Sequence, residues 1–197
     1  FNADGSTNGV ETRVNTYSTG NQMHPDVALT ESGSYVVAWA GESEYALNGV
    51  SARFYPGGAA QARQVQIAGH KGIRCWNVDV QINEATGLAL ITWVQGSTTT
   101  EGADKVCGVY YDVNGEQKSE IFTVAEHGDR SIETFDVESA MVGGELQYVV
   151  AWTILDENTR SREIYQRSFV ATYADGEYSV DFGETSRVNE TTAEGQY

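Results

Sequence analysis

The sequence predicts an all-β protein of three four-stranded antiparallel meanders, each of about 58 residues, arranged as β-propeller blades. Three observations carry that prediction. An apolar run ending in Trp occurs three times, as Tyr35-Val36-Val37-Ala38-Trp39, Leu88-Ala89-Leu90-Ile91-Thr92-Trp93 and Gln147-Tyr148-Val149-Val150-Ala151-Trp152. Each run follows an Asp-Val start, at Asp26-Val27, Asp79-Val80 and Asp136-Val137. No apolar stripe recurs at a spacing of three and four residues, whereas 11 Tyr and 21 Gly suit strands and tight turns.

The elements follow in order. Residues 1–23 read as the fourth strand and connection of a preceding unit, with Glu11-Thr12-Arg13-Val14-Asn15 extended. The triplet Arg13-Val14-Asn15 returns as Arg187-Val188-Asn189, three repeat lengths later. Repeat 1 spans 24–76, repeat 2 spans 77–133 and repeat 3 spans 134–197. In each, the first strand opens at the Asp-Val pair and the second is the Trp-ending run. The third strand is Gly49–Phe54, Cys107–Tyr111 or Glu163–Phe169. The fourth is centred on Val65, Ile121-Phe122 or Val188. Gly-containing turns between such runs read as antiparallel hairpins.

A lone four-stranded meander leaves both faces exposed, so the units must stack on one another. Closed propellers use about four to eight blades, and three fall short. The expected partners are therefore further repeats of the same chain, or another copy of it. The longer array is the preferred reading, with any export signal outside Phe1–Tyr197.

Twelve Lys plus Arg against 28 Asp plus Glu give a formal net charge of −16. Phosphate backbones need clustered cations, so nucleic acid and anionic membranes are excluded as main partners. No apolar run of about 18 residues predicts membrane insertion. The acidic excess serves solubility first, and is compatible with divalent cations held by oxygen ligands.

The phrase Arg13-Val14-Asn15-Thr16-Tyr17-Ser18-Thr19-Gly20-Asn21-Gln22, continuing to Pro25-Asp26-Val27-Ala28, carries a resemblance. With Gly33 to Trp39 and Ala52-Arg53-Phe54, it resembles a repeat of large secreted bacterial surface proteins, RTX-adhesin-like, in which such units occur in tandem. The match is partial in the third unit and weakest in the second, where Arg74-Cys75-Trp76 replaces Asn21-Gln22-Met23. The resemblance implies an extracellular location, tandem architecture and a role in adhesion or matrix. It implies no catalytic residue.

If the first strand of each blade is innermost, Asp26, Asp79 and Asp136 share one face with the three Trp and the connections 41–48, 95–104 and 153–162. His70 and His127 fall on the same face at matching places. Repeated polar groups there suggest a ligand or calcium site, although an Asp at a strand start more often bonds backbone amides. Asp156 and Glu157, in the acidic loop 153–163, are a second calcium candidate. The turns at 2–5, 112–116 and 174–177 lack the pattern of a calcium loop and read as hairpin turns. The repeated Trp residues read as core. Trp76 has no counterpart in the other units, so Arg74, Trp76 and Asp79, with His70 and His127, form the candidate glycan site. Cys75 and Cys107 flank one intervening strand, a separation wide for a disulfide unless the loop folds over; a bridge is expected slightly ahead of two free thiols.

No nucleophile elbow, zinc-binding helix or phosphate loop is present, and the His at 24, 70 and 127 are dispersed. The leading expectation is a non-enzymatic structural or adhesive module. The alternatives are a propeller lectin and a propeller glycoside hydrolase.

Overall fold

The structure, a computed structural model, describes residues 4, 6, 9–43, 48–58, 64–70, 72–98, 104–128, 130–156, 161–174 and 176–189. Three antiparallel sheets account for about two thirds of them. The first has the order β1(Gln22–Leu29), β2(Tyr35–Gly41), β3(Gly49–Tyr55), β4(Gln64–Ala68). The second repeats it as β5(Ile73–Ile82), β6(Leu88–Ser97), β7(Lys105–Asp112), β8(Phe122–Glu126). The third contains β9(Ser131–Val142), β10(Glu145–Asp156), β11(Ser161–Ala174), β12(Glu177–Phe182) and β13(Ser186–Arg187). Each Trp-ending run is the second strand, hydrogen-bonded on both sides, as expected.

Burial alternation shows how the sheets lie. On β6, Ala89, Ile91 and Trp93 pack with Val36, Ala38 and Ala40 of the first sheet. The intervening Leu88, Leu90 and Val94 pack with Tyr148, Val150 and Trp152 of the third. The second sheet is therefore the middle layer, which explains why its second strand is apolar without interruption. β11 instead alternates, from Arg162 to Ser168, between one covered and one open face. The small side chains of Ala38, Ala40 and Ala52 leave room for the fully buried Trp93 between layers about 10 Å apart. The three repeated Trp residues are all buried, as their core assignment requires.

Two departures from the expected boundaries have physical causes. Each first strand starts before its Asp-Val pair, at Gln22, Ile73 and Ser131, because it runs through a β-bulge just ahead of that pair. One extra residue sits there, in the His24-Pro25 step, at Asn77 and at Glu133, and it breaks the two-residue period that marks a strand. His24 and Asn77 take left-handed backbone angles, φ 52° and 48°. The second departure is β12. The third strand of the last unit runs on past Phe169 and folds back, so Glu177–Phe182 pairs with Phe169–Ala174. The fourth strand is reduced to β13, whose Arg187 pairs with Tyr165 as Thr123 pairs with Cys107.

The expected bridge between Cys75 and Cys107 is not formed: both are buried free thiols. Cys75 pairs with Gln95 and Cys107 with Trp93, so β6 lies between them. Two strand spacings, about 9.6 Å, exceed the reach of a disulfide.

Candidate functional site

The bulges bring the first strands of the three sheets together. Val80 donates its backbone N–H to Asp26 Oδ2 at 2.7 Å, joining the first sheet to the second. Asn77 donates its side-chain amide to the Glu133 carbonyl at 3.0 Å, joining the second to the third. Two cavities open at this junction, and His24 lines both.

The larger cavity, about 480 Å³, is lined by Arg74, Trp76, Asp104, Glu133, Asn48 and His24 among others. The Arg74 guanidinium lies 4.4 Å from the Trp76 ring centre, a cation–π pair that holds both side chains in place. Asp104 is almost completely buried, and its Oδ2 accepts from the Ile132 amide at 3.2 Å. Burial raises its pKa, opposed by that hydrogen bond and by the Arg74 charge. Gly96 is required beside it, since a Cβ there would overlap Asp104 and press on Trp76. Glu133 is neutralised by Arg162, at 2.7 Å. With Arg74 facing Asp104 and Glu133 already paired, the cavity is polar without a dominant charge. An aromatic wall with amide, carboxylate and guanidinium groups suits a neutral, hydroxyl-rich ligand.

The smaller cavity, about 360 Å³, is lined by His24, Pro25, Asp26, Asn77, Asp79 and Thr134 among others. Asp79 is the anomaly. Burial pushes its pKa up to about 7, reinforced by Asp26 and Asp136 and opposed by a hydrogen bond with Gln81. Its Oδ1 is buried with no hydrogen-bond partner. Desolvation and neighbouring carboxylates both disfavour its charged form.

The predicted site residues thus divide. Arg74 and Trp76 share the larger cavity, and Asp79 and Asp26 share the adjoining one. Asp136 lines neither and acts on Asp79 through its charge. His70 and His127 do hold matching places, but as turn residues between sheets. Their carbonyls accept from Ile73 and Arg130, and the His127 ring lies tilted against Tyr165, with ring centres 4.6 Å apart. Asp156 ends β10 opposite Ser161, and Glu157 lies outside the described residues. Among the described residues, no three His, Cys, Asp or Glu side chains are placed to hold one metal ion. Asp112 Oδ1 accepts from the amides of Asn114 and Glu116, each at 2.9 Å, which makes that segment a turn. Burial raises the Cys75 thiol to about 12 and the Cys107 thiol to about 11, so neither is a nucleophile near neutral pH.

Sequence reasoning missed Asp104, Glu133 and His24. Asp104 ends a connection whose path no periodicity reveals, and Glu133 and His24 belong to bulges. A polar residue two or three places ahead of each Asp-Val pair was the available signal. Compared with known proteins, the chain matches no family model and no curated sequence.

Proposed function

We propose that this chain is a non-enzymatic extracellular β-repeat module with a structural or adhesive role, its three sheets serving as propeller blades around their first strands. The observation that carries this reading is one antiparallel meander formed three times, four-stranded in the first two sheets and extended to five strands in the third, stacked in sequence order. The hydrogen bonds from Val80 to Asp26 and from Asn77 to Glu133 support a common axis at the bulged strands. The protonated thiols of Cys75 and Cys107 support a non-catalytic role. An electron-microscopy reconstruction tests the arrangement. Three sheets fanned about β1, β5 and β9 are expected, and a flat parallel stack would refute it.

A second reading, carbohydrate binding, is favoured by the Arg74–Trp76 pair in the larger cavity. It makes the module adhesive through a glycan. A glycan array with the intact chain, repeated with Trp76→Ala, tests it. Binding lost in the variant is expected, and no binding by the intact chain sinks this reading while leaving the blade arrangement standing.

A further inference from the structure

The two end faces of the stack carry apolar side chains at positions that are buried wherever a neighbouring sheet exists. Val27, Val80 and Val137 hold one repeat position, each paired with the residue two before the Trp. Val80 and Val137 are 2% and 0% exposed, covered by the sheet before them, whereas Val27 is 59% exposed. Leu29 is exposed beside it. On the opposite end face, Val149 stands where Val36 and Leu90 are buried, and Ile164 where Val50 and Val106 are buried. Both Val149 and Ile164 are exposed.

A trace of the missing neighbour lies on the first sheet. Arg167 donates to the carbonyl of Val124, in the fourth strand of the sheet in front of it. Arg53 holds the same repeat position, and donates to the carbonyl of Val14 at 2.8 Å. Residues 13–15 therefore lie where the fourth strand of a sheet in front of the first would lie. They repeat the sequence Arg187-Val188-Asn189, which completes the third sheet through Val188 N–H to the Ile164 carbonyl and Ile164 N–H to Asn189 Oδ1.

We infer that the open face of the first sheet docks the open face of the third sheet of a second copy of this chain. The complement of the first face is the chain's own last face, and the middle sheet keeps the two apart within one molecule. A second copy supplies it. In the docked pair, Asp136 of the partner copy faces the Val27 amide as Asp26 faces Val80. Residues 13–15 replace the partner copy's two-residue β13, because the same triplet offers the same backbone and Asn contacts. Gln166 and Ser168 stand on the docking face where Ala52 and Phe54 stand in the first sheet, so the contact is more polar than the internal ones and reversible. On the blade reading, on which only ring closure rests, two copies joined at both ends make six blades, within the usual range of about four to eight.

Sedimentation of the full chain from about 1 to about 200 µM tests this. A mass rising with concentration from 21.5 kDa is expected, levelling at twice that value where the ring closes. Val27→Glu with Leu29→Glu weakens association at least tenfold, while Tyr173→Gln, at an exposed site off both faces, does not. Val149→Glu with Ile164→Glu acts on the other face. Mixing the two double variants restores a pair, because each keeps the face the other has lost. A single mass of 21.5 kDa throughout, or association indifferent to both double variants, overturns the inference. Neither result touches the glycan reading.

Discussion

Replacing Asp79 by Asn removes a carboxylate whose charged form the fold disfavours at neutral pH. Folded, Asp79 titrates at about 7; its ordinary value is 3.8. Between those values the folded chain keeps a proton that the unfolded chain releases. Stability contributed by this group therefore falls as pH rises from about 4 to about 7, and stays low above that. The full difference corresponds to about 4 kcal/mol at 1.36 kcal/mol per pH unit. Partial exposure of the carboxylate reduces the expected effect to about 2–3 kcal/mol. Asp79→Asn, nearly identical in shape, should thus stabilise the chain by that amount at pH 8 and by little at pH 4. For a chain of this size each kcal/mol moves Tm by about 2–4 °C, so a rise of about 5–10 °C is expected at pH 8. Calorimetry of both proteins across pH 4–8 reads it. The comparison between variants cancels the titration of groups that the substitution leaves unaffected. Asp26, Asp136 and Glu138, whose charges act on Asp79, remain in both. An equal gain at pH 4 and pH 8, or a loss at pH 8, would refute the electrostatic argument. Repeating the melts with calcium and with a chelator tests a cation at this cluster. A bound cation raises the wild-type Tm and leaves Asp79→Asn unmoved.

Further expectations concern packing, the larger cavity and the thiols. Trp93→Ala removes a fully buried indole between two sheets and should cost about 3–5 kcal/mol in a denaturant melt. Trp39→Ala should cost less, since its sheet has one open side, even though it also loses the indole N–H bond to Gln22 at 3.0 Å. Gly96→Ala should displace Asp104 and Trp76 and, on the carbohydrate-binding proposal, weaken glycan binding along with Trp76→Ala, as read by titration calorimetry. Native protein at pH 8 should react slowly with a thiol reagent, and unfolded protein should expose two thiols at once; rapid labelling of the folded chain would contradict the burial of Cys75 and Cys107.

How much could be read from the chain varied with the kind of signal. Tyr35–Trp39 and its two copies were legible because packing at each sheet imposes the same apolar run. The strand starts were not, because His24, Asn77 and Glu133 are bulge residues that break the alternation. β12 was hidden because the third strand continues smoothly into an Ala174–Glu177 turn that resembles any other hairpin. Arg74 and Trp76 were noticed as a departure from the repeat. Their neighbours Asp104 and Glu133 come from a later connection and a later strand, and only folding brings them near. Cys75 and Cys107 were judged by proximity in one unit, and the intervening β6 decided against a bridge.

The sequence alone determined the number of units, the order of the first three strands within them and the burial of the repeated Trp, because side-chain alternation and turn residues are local properties. Tertiary structure decided which sheet became the middle layer and which faces remained open, because that depends on what each sheet packs against. It also decided that Asp79, one of three identical starts, is the one held near neutrality. The second sheet alone has neighbours on both sides, so its Asp is desolvated between the carboxylates of the other two.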